Sequence, residues 1–319
     1  MKRAFVFPGQ GSQAVGMGRD LAENFEAARL VFEEVDEALS QKLSKLMFEG
    51  PGDDLVLTEN AQPALMAVSL AALRVLETEG GFRLLDKAVL VAGHSLGEYS
   101  ALTAVGALDL SDCARLLKLR GRSMQQAVPV GEGAMAALLG VDFAVAETIS
   151  QQACVTPEGG KEVCQAANDN APGQVVVSGH KGAVERALDL AKARGAKRAV
   201  LLPVSAPFHC ALMAPAADAM QAALATTALM PLAVPCVANV TATAVSDLET
   251  VRRLLVQQVT GTVRWRESVN YMKTQGVEQL VEIGAGKVLS GLTRRIDREM
   301  SGVAVGTPAD IESFLGYAN

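Results

Sequence analysis

Residues 88–102, AVLVAGHSLGEYSAL, narrow the possible folds more than any other stretch of the chain. Five apolar residues, Ala88 to Ala92, have the length and composition of a buried strand. They run directly into Gly93-His94-Ser95-Leu96-Gly97, and a small-residue helical pattern follows. A strand that becomes a helix across G-x-S-x-G has the form of a nucleophile elbow. Its glycines permit a tight turn, and the serine hydroxyl is left at a helix N-terminus where backbone N–H groups point outward. The motif alone is a modest signal, because a Gly-rich strand-to-helix turn needs no chemistry. Here both flanks agree with it, so Ser95 is a candidate nucleophile.

The rest of the chain alternates strand-like and helical patterns, as an α/β fold does. RAFVF (3–7) reads as a strand that ends in the Gly-rich turn PGQGSQ. Helices are expected from about Asp20 to Leu39, after Asn60 (which can act as N-cap), after Ser95, and from Ser111 to about Ala127. The middle differs. GAMAALLG, DFAVAETISQQA, EVCQAAN, GQVVVSG, KGAVERALDLAKARG and AKRAVLLP read as βαββαβ, a ferredoxin-like arrangement. Beyond Pro203 the expected elements are a helix at about 210–228, a strand in VPCVANV, helices at about 247–259 and 265–275, the strand EQLVEIG and a helix from Lys287. The expected architecture is therefore α/β. An α/β-hydrolase-like core with a parallel sheet (1–129 and 203–319) carries an inserted ferredoxin-like subdomain at 130–202.

Composition excludes several classes. With 319 residues, half of them hydrophobic and 20% charged, the chain can bury a large core. Aromatics are only 4%, so that core rests on Leu, Val, Ala and Met. A net charge of −6 argues against general nucleic-acid binding. No apolar run reaches the roughly 18 residues of a membrane span, and MKRAFVFPGQ is too short for a signal-peptide core. The five cysteines lack C-x-x-C spacing and read as reduced, mostly buried thiols of a cytoplasmic protein. Cys210, which follows His209, is expected to pack rather than to act as a second nucleophile.

A serine nucleophile needs a base, and the chain has three histidines. His94 sits on the elbow itself and should point away from the hydroxyl. His180 lies at a strand-to-helix turn of the small subdomain, where capping or a surface role suffices. His209, in LLPVSAPFHCALM where the main domain resumes, is the base by elimination. No acid between Ser95 and His209 sits in a convincing strand-end loop, and 110 residues follow the histidine. An ordinary hydrolase order of Ser, acid and His fits poorly, so something other than a carboxylate, such as a backbone carbonyl, is expected to fix the tautomer.

FVFPGQGSQAVGMG, GHSLGEYSAL, LRGRSMQQA, NAPGQVVVSGH, PFHCALM, QQVTGTVRW and VEIGAGKVLSGL, in that order along nearly the whole chain, resemble malonyl-CoA:acyl carrier protein transacylases. These are the acyltransferases of fatty acid synthesis, also seen as a domain in polyketide synthases. The resemblance implies Ser95 as nucleophile, His209 as general base and Gln258 as the residue whose main-chain carbonyl orients it. It implies backbone N–H groups of Gln10 and Leu96 as the oxyanion hole, with Phe208, Asn170 and Gln174 at the substrate. Arg120, on spacing alone one of four basic residues on a helix surface, becomes the arginine that grips the free carboxylate of the malonyl group. A planar guanidinium suits that task and is costly to leave unpaired beside an uncharged acyl chain.

The implied reaction moves malonyl from malonyl-CoA to the phosphopantetheine thiol of acyl carrier protein through a malonyl-serine, with no metal or redox cofactor. Carrier proteins are acidic, so an acidic enzyme needs a local basic face. Lys181, Lys192, Arg194, Lys197 and Arg198 are the candidates. A free-standing monomer serving fatty acid synthesis is expected. A serine thioesterase or esterase, and a non-catalytic acyl-CoA-binding protein of the same fold, are the alternatives.

Overall fold

The structure, a computed structural model, describes residues 1–318. Its ten strands are β1 (Arg3–Phe7), β2 (Ala88–Gly93), β3 (Gly133–Leu139), β4 (Cys164–Ala171), β5 (Gln174–His180), β6 (Arg198–Leu201), β7 (Cys236–Val237), β8 (Ala244–Val245), β9 (Gln279–Ile283) and β10 (Ser301–Val305). Six form one sheet, in the order β10-β9-β1-β2-β7-β8. All neighbours in it are parallel except the edge strand β8, which runs antiparallel to β7.

β1 is buried on both faces, which is why its sequence is a continuous apolar run rather than an alternation. Successive side chains still take opposite sides. Val281, Phe5, Val91 and Cys236 are in register across four strands and face a core built with helices 26–39, 58–80 and 110–126. Ala4, Leu90 and Leu280, one position away, face a second core with Trp265, Val269, Met272, Leu289 and Leu292. Helices thus cover both faces of the sheet, and the serine turn projects from the C-terminal end of β2.

The other four strands form an antiparallel sheet in the order β4-β5-β3-β6. Helices Phe143–Ala153 and Lys181–Ala193 cover one face over Ala136, Leu138, Val175 and Val177. From the same strands Met135, Ala167 and Val176 join the main core, where Phe208 also lies. The two sheets are tied by backbone. Asn168 and Val263 form a parallel bridge, the Asp169 N–H donates to the Val263 carbonyl, and the Val263 N–H donates to the Ala167 carbonyl, both at 2.9 Å. An Arg266–Asp169 ion pair at 2.7 Å, its carboxylate 1% exposed, sits beside this strap.

Several sequence expectations need correction. The helix expected from Asp20 to Leu39 is two, Arg19–Asn24 and Glu26–Leu39, because Phe25 is extended (φ −132°, ψ 123°). The next helix starts at Thr58, so Asn60 lies inside it. Instead of capping, the Asn60 side chain accepts from Gln41 and Lys118 and donates to the Asp54 carbonyl. The strand in VPCVANV is two residues long, since the backbone leaves the sheet after Val237 to bring Asn239 to the serine turn. β10 and the terminal helix Pro308–Ala318 were not anticipated. The cysteines are free, four of them buried and Cys154 partly so. No helix among the described residues is long and apolar enough to cross a membrane.

Candidate active site

The turn after β2 owes its shape to contact as well as to glycine's freedom. A Cβ on Gly93 would fall 1.9 Å from the Gly97 carbonyl oxygen, and one on Gly97 would fall 2.2 Å from that of Phe7. Only hydrogen fits at either place. Between them Ser95 is left-handed (φ 54°), an unfavourable state for a residue with a side chain. Neighbours hold it there. The Ser95 N–H donates to Asn239 Oδ1 (2.7 Å), its carbonyl accepts from Gln258 Nε2 (2.9 Å), and Asn239 Nδ2 donates to the Gly93 carbonyl (2.7 Å).

Ser95 Oγ lies 2.8 Å from His209 Nε2, and His209 Nδ1 lies 2.8 Å from the Gln258 main-chain carbonyl. A carbonyl only accepts, so Nδ1 carries the proton and Nε2 is free to take one from the serine. His209 is 4% exposed and also left-handed (φ 58°). Burial and the nearby Arg120 charge push its pKa down to about 3, so the ring is neutral at neutral pH.

Arg120 is 1% exposed. Its Nη1 donates to Gln62 Oε1 (2.7 Å), and its Nη2 donates to Gln258 Oε1 (2.9 Å) and Ser95 Oγ (3.1 Å). The guanidinium carbon stands 5.8 Å from the Tyr99 ring centre, and Nε has no partner. Among the described residues no carboxylate lies within ion-pair distance of it. Glu98 is the nearby acid. It is 3% exposed, accepts from the Asn239 N–H (3.0 Å) and Gln258 Nε2 (2.8 Å), and burial raises its pKa to about 7.

The main-chain N–H groups of Gln10 and Leu96 have no acceptor among the described residues. The Gln10 loop lies against the elbow, since a Cβ on Gly9 would come 2.7 Å from the His94 carbonyl. Phe208, beside His209, is buried. Asn170 Oδ1 lies 2.9 Å from His94 Nε2, so His94 turns toward the small sheet. Gln174 stays outside this network: at the start of β5, its Oε1 accepts from Arg295 (3.0 Å). His180 does not cap the helix it precedes, and its Nδ1 accepts instead from the Val163 N–H (2.8 Å). Cys210 is fully buried, its thiol donating to the Pro207 carbonyl (3.2 Å), with its pKa raised by burial.

Lys181, Lys192, Arg194, Lys197 and Arg198 are all exposed. Lys192 pairs with Asp189 and Arg194 donates to Gln152. No cluster of His, Cys, Asp or Glu among the described residues could hold a metal ion.

Gln62, Glu98, Asn239 and Thr58 belong to the site but are not singled out by the sequence. For Gln62 and Glu98 a signal exists, a polar residue inside an apolar helical pattern. The arrangement can deliver a neutral base to a serine, hold an oxyanion on two free N–H groups, and offer a buried cation to an acyl group that bears a negative charge.

The description "acyl transferase domain" fits residues 4–306. The chain is 45% identical over 311 residues to the malonyl CoA-acyl carrier protein transacylase of Bacillus subtilis, covering 98% of this chain and 95% of that one. A crystal structure of an acyl-carrier-protein-S-malonyltransferase from Bartonella henselae superposes with a TM-score of 0.95 at 56% identity, over 99% of both chains. A type II PKS acyl-carrier protein in complex with its malonyl-transacylase gives a TM-score of 0.94 at 43% identity, over 99% of this chain and all of that one. Matched along nearly its whole length, this chain belongs to the acyl transferase domain family.

Proposed function

We propose that this chain transfers a malonyl group from malonyl-CoA to the phosphopantetheine thiol of an acyl carrier protein, through a malonyl ester on Ser95. The observation that carries the reading is the Arg120 guanidinium, buried 3.1 Å from the serine hydroxyl with only neutral partners. A charge placed so is costly unless the substrate brings its counter-ion, and malonyl differs from acetyl by one carboxylate.

In the first half-reaction the Ser95 Oγ proton passes to His209 Nε2 as Oγ attacks the thioester carbon. The N–H groups of Gln10 and Leu96 hold the oxyanion. The C–S bond breaks, and the coenzyme A sulfur leaves with the proton from His209. In the second, the carrier's thiol gives its proton to His209 and attacks the ester, and Ser95 leaves with that proton. The Gln258 carbonyl orients His209 throughout, standing where hydrolases use a carboxylate. We assign Phe208, buried beside His209, and Asn170, bonded to His94, to the acyl and pantetheine side of the substrate. Gln174 belongs there only if its bond to Arg295 gives way.

The finer architecture we assign is an α/β-hydrolase-like core, 1–129 and 203–319, around a ferredoxin-like subdomain at 130–202. The βαββαβ order of the second sheet supports the latter. The carrier docks on the face of Lys181, Lys192, Arg194, Lys197 and Arg198, and the enzyme works as a cytoplasmic monomer without metal or redox cofactor.

Intact-mass measurement after mixing with malonyl-CoA tests the reaction. A malonyl adduct on Ser95 that persists until phosphopantetheinylated carrier protein removes it is the expected result. Free coenzyme A accumulating without an adduct would mean that the acyl group goes to water.

A further inference from the structure

We propose that Thr58 and Gln62 are positioning residues that couple recognition of the acyl group's free carboxylate at Arg120 to the oxyanion loop at Gln10. The inference rests on the malonyl-transfer reading above.

Four side chains form one unbroken chain of hydrogen bonds. Arg120 Nη1 donates to Gln62 Oε1 (2.7 Å), Gln62 Nε2 donates to Thr58 Oγ1 (3.2 Å), and Thr58 Oγ1 donates to Gln10 Oε1 (2.7 Å). Every donor points the same way, from the cation toward the loop. A hydroxyl that accepts a proton donor on one side becomes a better donor on the other, so bonds aligned in this sense reinforce one another. The guanidinium at the head adds its charge to that polarisation.

The chain is also built to stay in place. Thr58 and Gln62 are 0% and 1% exposed and sit four apart on the first turns of helix 58–80, where their side chains meet on one face. Water has little access to compete for these bonds. At the far end, Gln10 stands between Gly9 and Gly11, and Gly11 has a positive φ (+113°). The Gly11 N–H donates to Gln13 Oε1 (2.7 Å) and Gly9 packs against the His94 carbonyl, so the backbone is held on both flanks and the Thr58 bond fixes the Gln10 side chain between them. The bond from Thr58 is the one side-chain hydrogen bond that Gln10 makes among the described residues. Holding the Gln10 side chain therefore steadies the peptide whose N–H, without an acceptor among the described residues, is the one assigned to the oxyanion.

When a carboxylate pins Arg120, the chain is pinned with it and the loop N–H is aimed. An acyl group without a carboxylate leaves Arg120, and through it the loop, less restrained. Thr58 and Gln62 would thus raise selectivity in the chemical step without touching the substrate.

The test is a double-mutant cycle on single-turnover acylation of Ser95 by malonyl-CoA and by acetyl-CoA at saturation, read by quenched intact mass. Thr58→Val should slow malonyl acylation about 5- to 30-fold and lower the malonyl-to-acetyl rate ratio, with Thr58→Ser restoring both. In an Arg120→Ala background the same Thr58→Val change should alter the rate by less than about twofold, because the chain is already cut. Gln62→Met, which breaks the chain one link earlier, should behave as Thr58→Val does and guards against a folding defect peculiar to either site. Equal factors for Thr58→Val in both backgrounds, or no rescue by Thr58→Ser, would overturn the coupling. Arg120→Ala slowing malonyl and acetyl equally would instead overturn the malonyl reading, and the cycle would still report whether Arg120 and Thr58 act together.

Discussion

At Arg120 and His209 two groups that both favour a positive charge share one dry site, and only the arginine keeps it. Burial, and the second cation that protonating His209 would set beside the guanidinium, bring its pKa down to about 3. The neutral base is therefore complete at pH 5 and above. The acid limb of kcat/KM for malonyl-CoA should fall below pH 5, well under the ordinary imidazole value of about 6.5. Arg120→Ala should move that limb upward by removing one of the two causes. It should also cost malonyl transfer about 2–5 kcal/mol, a factor of about 30 to several thousand, while sparing acetyl transfer. Both effects are read from pH–rate profiles with the two thioesters. The same pKa shifts enter stability with opposite signs. His209 takes a proton at 6.5 when unfolded but only near 3 when folded, so its contribution is complete above 6.5 and is lost as pH falls toward 3. Glu98, raised from 4.5 to about 7, contributes fully below 4.5 and loses that contribution as pH rises to about 7.

At the scale of elements, the elbow works because two glycines let β2, the following helix and β1 approach to backbone contact. Gly97→Ala should lower unfolding free energy by about 1–3 kcal/mol or more, measured by denaturant titration, because the obstructing atoms belong to the Phe7 and Pro8 backbone and cannot rotate away. The elbow was legible in sequence, since strand, motif and helix are contiguous. Arg120 was half legible. Counted as a charge it joined a surface cluster, yet it continues the buried stripe Cys113, Leu117, Arg120 and Met124, whose spacing of three and four marks the inward face of helix 110–126. Asn239 was not legible. Its role depends on β7 ending after two residues beside a turn 144 positions earlier in the chain, and no local pattern encodes that meeting.

Across the whole molecule, the βαββαβ segment was readable because each element is amphipathic and the connections are short. Which of its residues face the serine was not, because that depends on how the second sheet sits against the first. Asn170 reaches the elbow through His94, whereas Gln174, four residues on across the turn between β4 and β5, binds Arg295. The exposed lysines and arginines of this segment lead to a prediction at the same scale. Charge reversal in Lys192→Glu/Arg194→Glu should raise the KM for the carrier protein several-fold at low salt and leave acylation by malonyl-CoA unchanged. An unchanged KM would remove this face as the docking site.

The strap at Asn168 and Val263 gives the two sheets a common backbone seam only five residues from Gln258, whose carbonyl accepts from His209. Its backbone hydrogen bonds tie the segment that follows Gln258 to the strand that carries Asn170. Ser95 is itself only partly covered. A malonyl ester on Ser95, as proposed, would therefore stand open to the solvent, and its lifetime becomes a race between hydrolysis and the carrier's thiol.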